Sequence, residues 1–339
     1  MIIGIISSII AGTLNGSFAA PMKRITNWEW ENTWLIYALV AMLFLPIATA
    51  FISVPGLLSI YTQAGSSVII KTLLTGFLFG IGSVTFGLGL HLAGLSMGNS
   101  LMVGIISVTG SLGPMLLLSP ESILTHGGGI LVFAMVITVI GVIYCSIAGA
   151  LRAKSQEGCA DSGERKASFK IALIICIVSG IFSSMLNISL VMGLPIAELA
   201  QANLSGVFRS YRAYNAVWAI TLCGAFIPYI LYCIYLFTRN KSIIKYKDTT
   251  KNFQWAALMG FLWFFCITLY GAGASNLGKL GTTIGWLILM ACTVIVGNLW
   301  GWITGEWKNA PRKAQQKMRN GLLLLFLSVA MVAVAKFYL

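Results

Sequence analysis

The chain has 339 residues, 58% apolar and only 9% charged, with 22 Lys/Arg against 9 Asp/Glu, a net charge of +13 and a mean hydropathy of +0.89. Soluble domains carry roughly 25% charged residues, so this composition excludes a soluble enzyme, a nucleic-acid binder and a disordered chain. The positive charges sit in short clusters between apolar runs of about 20 residues, the length needed to cross ~30 Å of hydrocarbon.

Ten spans follow in chain order. The first, 2–21, ends on Ser17-Phe18-Ala19-Ala20 like a secretory leader, yet no Lys or Arg precedes it. A leader needs a basic start, so this stretch is expected to remain as a span. The turn after it, PMKRITNWEWENTW (21–34), is dense in Trp and charge. It reads as an interfacial hairpin with Lys23 and Arg24 facing Glu29 and Glu31, and the same ion pairs would suit a gate. Spans 34–52, 69–92, 96–118 and 130–151 complete a first half, residues 1–151. A basic linker, 152–169, leads to a second half, 170–339, with spans 170–192, 214–237, 255–275, 281–303 and 320–338. On one set of connections lie 17 Lys/Arg, and on the other only 5. The positive-inside rule puts the 17 in the cytoplasm and both termini outward.

An internal repeat is visible. GFLFGIGSVTFGLGLHLAG (76–94) and GFLWFFCITLYGAGASNLG (260–278) align without gaps at an offset of 184, matching Gly76 to Gly260, Gly87 to Gly271 and Gly94 to Gly278. Nearly the same offset carries Glu121 onto Glu306. Each half holds five spans, an odd number, so the second copy enters the membrane upside down. The fold class expected is therefore an all-α polytopic membrane protein whose ten helices form two inverted five-helix repeats, an arrangement typical of alternating-access transporters. GxxxG pairs such as Gly12/Gly16 and Gly76/Gly80 allow close helix packing.

Catalytic and metal chemistry find little support. None of the nine carboxylates falls in the middle third of a span, the two histidines are His91 and His126, and the seven cysteines never form CxxC. No cofactor or metal is expected. Uncharged polar groups do reach mid-span depths. Asn15, Thr85 and Asn187, with the rings of Tyr270 and Trp286, suit a neutral polyhydroxy ligand. Amides supply donors and acceptors, and an aromatic face covers the apolar side of a sugar; Trp263 is a further such ring. Proton coupling would need a group that titrates between the two sides. Glu31 stands first, buried by the Trp-rich turn. His91 titrates near neutrality, although it also reads as an interfacial residue, and Lys279 opens the ninth span. Glu121 and Glu306 read as scaffold.

Several of these motifs carry a family resemblance. Pro21-Met22-Lys23, followed by Trp28-Glu29-Trp30-Glu31 and Trp34, resembles the bacterial L-rhamnose–proton symporter family. So do GFLFGIG (76–82), Gly94-Leu95-Ser96-Met97-Gly98, GIFS (180–183) and Glu306-Trp307-Lys308-Asn309-Ala310 with Arg312. The similarity covers essentially the whole chain. It implies membership of the drug/metabolite transporter superfamily, proton-coupled sugar uptake and a bacterial inner-membrane location, with sugar, proton and bilayer as partners and no nucleic acid. Transport of another small polar metabolite, inward or outward, is the alternative.

Overall fold

The computed structural model describes residues 2–93, 95–156, 165–206, 208–247 and 250–338. Thirteen helices are defined there: α1 (Ile2–Ser17), α2 (Trp30–Ala38), α3 (Leu45–Ser53), α4 (Leu57–Ala64), α5 (Ser66–Ala93), α6 (Leu95–Leu118), α7 (His126–Gln156), α8 (Arg165–Met192), α9 (Leu194–Ala202), α10 (Arg209–Asn240), α11 (Thr250–Ser275), α12 (Gly281–Ile303) and α13 (Arg312–Ala335). Ten membrane-length apolar helical segments result, with α2 and α3 together making the second. Hydrocarbon offers the backbone no hydrogen bonds, so continuous helix is the form these runs must take. Residues 157–164 of the 152–169 linker, and the Gly94 end of the 94–98 motif, fall outside the described residues.

The second span begins at Trp30, four residues before the sequence boundary, and is broken by a π-helical turn at Leu39–Phe44. Pro46, just inside α3, explains the break. It has no N–H to give and its ring crowds the preceding turn, so the hydrogen-bond ladder widens there. The short helix α4 lies outside the ten spans, while α9 extends the sixth, whose apolar segment runs from Lys170 to Ala202.

Helix α8 shows how the bundle sorts its side chains. Ile171, Ile174, Val178 and Ile181 are exposed on one face, while Ser179, Ser183 and Asn187 are buried on the other. That is the pattern of a helix with lipid outside and a polar interior. Ser179 donates to the Gly82 carbonyl at 2.9 Å and Ser189 to that of Thr72 at 2.8 Å, which ties α8 to α5. Other hydroxyls bond back into their own turn, as Thr109 does to Ile105 and Thr268 to Phe264, which satisfies them without water.

Packing partners recur between the halves. Helix α1 packs on α11 and α12, while α8 packs on α5 and α6; α7 pairs with α13. Glycines set the closest approaches. A Cβ on Gly76 would collide with the Thr221 carbonyl of α10, and one on Gly260 would lie 2.9 Å from the Tyr37 carbonyl of α2. The two glycines that align in sequence thus each set a close approach between helices, one to α10 and the other to α2. The α7–α13 pair is held by a buried hydrogen bond of 2.6 Å between the Thr138 and Ser328 hydroxyls. Connections rich in Lys/Arg gather at one end of the bundle, called the basic end below.

Candidate functional site

The five residues expected to line one sugar site divide between two levels. Asn187, Tyr270 and Trp286 meet in a closed, buried network toward the end opposite the basic one. The Asn187 amide donates to the Gly110 carbonyl at 2.6 Å and to that of Thr282 at 3.1 Å, and its oxygen accepts from the Tyr270 hydroxyl. The Trp286 indole donates to the Ile106 carbonyl at 3.0 Å and meets the Tyr270 ring edge-on, 5.4 Å between centroids. Its edge fits against Gly110, where a Cβ would leave no room. Trp286 therefore offers no free face to a ligand: both indole edge and N–H are held by α6. The network joins α6, α8, α11 and α12 and seals that end.

Asn15 lies elsewhere. Its side-chain amide donates to Thr293 at 3.0 Å across α1 and α12, and its backbone N–H faces the Cys266 sulfur of α11. Thr85 bonds back to Ile81 at 2.8 Å. Phe79 stacks on Trp263 of α11, and Phe86, seven residues on, shares that face at ~100° per residue. Thr85 falls about 100° away, so it joins neither that face nor the Asn187–Tyr270–Trp286 network.

Trp34, counted in the sequence reading only as part of the interfacial turn, and Tyr37, not singled out there, instead belong to an aromatic cluster inside the bundle. Trp34 contacts Trp30 (5.7 Å), Tyr37 (5.0 Å) and Phe18 (6.3 Å), and Tyr37 contacts Trp263 at 5.9 Å. The sequence signal was the density of aromatic residues from 28 to 37, but rotation about the helix axis decides which of them point inward.

Of the three groups proposed for proton coupling, Glu31 is the one found buried. It is 1% exposed, in the first turn of α2, and accepts hydrogen bonds from Ser242 and from Asn240 at 2.9 Å. No cation pairs with it among the described residues. A carboxylate is eased there by the positive end of the α2 dipole. The enclosing surface is the connection from α10 to α11. Trp28 donates to the Lys245 carbonyl at 3.1 Å, Lys245 pairs with Glu29 at 2.6 Å, and Arg24 lies over the Trp255 ring at 4.7 Å. The expected ion-pairing of Lys23 and Arg24 with Glu29 and Glu31 is thereby corrected: each takes a partner from another connection. Lys279 is not drawn inward. It pairs with Glu121 at 3.1 Å, both about two-thirds exposed. His91 lies on α5, but its side chain is outside the described residues.

Glu306 accepts from Lys23 and from Arg152, the latter at 2.8 Å, so the first and last connections of the basic end are tied to the end of α7. Partial burial pushes its carboxyl up, but the two cations outweigh that and hold it below the ordinary value. Glu121 is likewise lowered, chiefly by its own backbone N–H and then by Lys279. A surface hollow of about 410 Å³ beside Trp302, Trp307 and Lys308 holds none of the predicted site residues.

Ten apolar spans, polar side chains turned inward and a buried acid that pairs with no cation among the described residues define a multi-pass membrane protein. The chain belongs to the L-rhamnose-proton symport protein (RhaT) family, whose model matches residues 1–336. It is 28% identical over 340 residues to the L-rhamnose-proton symporter of Mannheimia succiniciproducens, covering 98% of this chain and 97% of that protein. To the L-rhamnose-proton symporter of Yersinia pestis (strain Pestoides F) it is 26% identical over 341 residues, with the same coverage. The family is one of transporters rather than enzymes.

Proposed function

We propose that this chain takes up L-rhamnose together with protons, by alternating access, in a bacterial inner membrane. The basic connections lie in the cytoplasm, both termini lie outward, and residues 1–151 and 170–339 are inverted repeats joined by the 152–169 linker. Family membership over nearly the whole chain supports the substrate, the 17-to-5 division of Lys/Arg supports the orientation, and the recurring helix pairs support the repeat. One observation carries the coupling. Glu31 is the only carboxylate buried among the described residues, and its partners there are the neutral donors Asn240 and Ser242. A buried charge without a counter-ion is costly, so a proton that enters and leaves at this group changes the energy of the basic-end closure. The enclosing contacts, Trp28 to Lys245 and Asn32 to Ser242 at 3.0 Å, belong to that closure.

The test uses protein in liposomes. Labelled L-rhamnose should accumulate when the pH gradient drives protons in the direction of sugar uptake. Glu31→Gln should keep sugar exchange between equal pools and lose accumulation. If wild type ignores the gradient, symport is wrong; if Glu31→Gln still concentrates sugar, the proton travels elsewhere. A reporter fused after Leu339 should mark the outward side, and a cytoplasmic signal there would reverse the orientation.

A further inference from the structure

The proposed symport needs a sugar site, and the residues first expected to form it are engaged with one another. We infer that the sugar is held instead by an aromatic cradle of Trp34, Tyr37 and Trp263, flanked by Phe18 and Phe79, at the middle of the bundle. The inference deepens the symport reading and rests on it for the identity of the sugar.

Two independent observations meet here. The first is symmetry. Phe79 and Trp263 occupy equivalent positions at the repeat offset of 184, and their rings stack 6.0 Å apart with only 7° between planes. A residue touching its own repeat mate marks where the relation between the halves passes. Phe79 is the fourteenth of 28 residues in α5, and Trp263 the fourteenth of 26 in α11, so the contact lies half-way along both helices. Transporters built from inverted repeats bind substrate at that interface, near mid-depth.

The second observation is unused donors. The Trp34 indole nitrogen is fully buried without a hydrogen-bond partner. The Tyr37 hydroxyl and the Trp263 indole make no hydrogen bond to any described residue, although the two side chains are 3% and 7% exposed. Native interiors leave few groups like the buried Trp34 N–H unpaired. Three neighbouring rings that each hold back a polar hydrogen form a surface with apolar faces and donor edges, the chemistry that fits a neutral monosaccharide with its C–H face and its ring of hydroxyls. Asn15 borders the cradle, because its backbone N–H faces the sulfur of Cys266, one turn beyond Trp263. The partly exposed rings of Trp30 and Phe18 form its rim on the basic side.

Glu31, Trp34 and Tyr37 also follow one another at three-residue spacing on α2. Trp34 lies about 4.5 Å and Tyr37 about 9 Å deeper along the axis than Glu31. A shift of α2 on protonation would thus move the sugar contacts directly.

The experiment is equilibrium binding of labelled L-rhamnose to purified protein, with Tyr37→Phe, Trp34→Phe and Trp263→Phe. Tyr37→Phe removes a hydroxyl with no partner among the described residues, so it should not disturb the fold, and thermal melting checks this. Each variant should lose affinity about fivefold to tenfold, as expected for removing one hydrogen bond to ligand. Thr85→Ala should match wild type. If Tyr37→Phe melts normally and all folded variants bind within twofold of wild type, the cradle is wrong. If wild type ignores L-rhamnose but binds another neutral monosaccharide, and Tyr37→Phe weakens that binding, the cradle stands and the rhamnose reading falls.

Discussion

Breaking the Asn187 network should open the end that it seals. Asn187→Ala removes two donated bonds, to Gly110 and Thr282, and the bond accepted from Tyr270. Interhelical hydrogen bonds in membranes average ~0.6 kcal/mol, and buried ones in soluble proteins ~1 kcal/mol. Three together contribute about 2–3 kcal/mol. The Tyr270 hydroxyl can fall back on the Thr282 carbonyl at 3.0 Å, which holds the loss toward the lower figure. If the network exists only in the conformation closed at this end, the equilibrium moves toward opening by about 30-fold or more. Ser111, fully buried one residue beyond Gly110, can be replaced by cysteine in a chain lacking the native ones. A membrane-impermeant maleimide should then label Ser111→Cys slowly in the parent and many times faster with Asn187→Ala, and sugar should alter both rates. A folded Asn187→Ala protein labelled no faster than its parent would refute the seal.

Other consequences are simpler to measure. Glu306 is held below the ordinary carboxylate value by Lys23 and Arg152, so its contribution to stability is present above about pH 4.5 and lost as pH falls through its lower folded value. The melting temperature should drop on acidification in that window more in wild type than in Glu306→Gln, and parallel curves would dismiss the tie. Gly76→Val would drive a branched side chain into the Thr221 carbonyl and should destabilise by ~1–3 kcal/mol, lowering the melting temperature by several degrees. Thr85→Ala, whose hydroxyl serves its own turn, should change sugar uptake by less than twofold.

Much of the architecture could be read from hydropathy, because lipid enforces helices of a set length. The ten spans, the clustering of basic connections and the glycine-matched repeat are all one-dimensional signals. So is the polar row Ser179, Ser183, Asn187 on α8, which reverses the pattern of a soluble helix. Partners were another matter. Asn15 and Asn187 look alike in sequence, yet one borders the aromatic cradle and the other closes the opposite end, since depth and rotation come only from packing. Glu31 fell outside its span because the helix starts four residues early, and the α10–α11 connection that covers it lies about 210 residues away. Phe79 and Trp263 escaped notice as repeat mates because they differ in type, while the glycines around them match.

The row Glu31, Trp34, Tyr37 makes a last demand that binding measurements alone can meet. If the proton at Glu31 and the sugar at the cradle act on the same helix, each must change the affinity of the other by the same factor. Sugar affinity in wild type should then depend on pH, and sugar binding should draw protons from solution. Calorimetry in two buffers of different ionisation enthalpy counts those protons, and the number should lie between zero and one and vary with pH. Glu31→Gln fixes the group in a neutral form, so the same titration should show no proton uptake and an affinity that no longer changes with pH. Tyr37→Phe should weaken binding at every pH while leaving the proton count in place, because it removes a sugar contact and not the titrating group. A wild-type protein that binds sugar without taking up protons at any pH would disconnect the two sites, and α2 would then be a wall of the cradle rather than the link between proton and sugar.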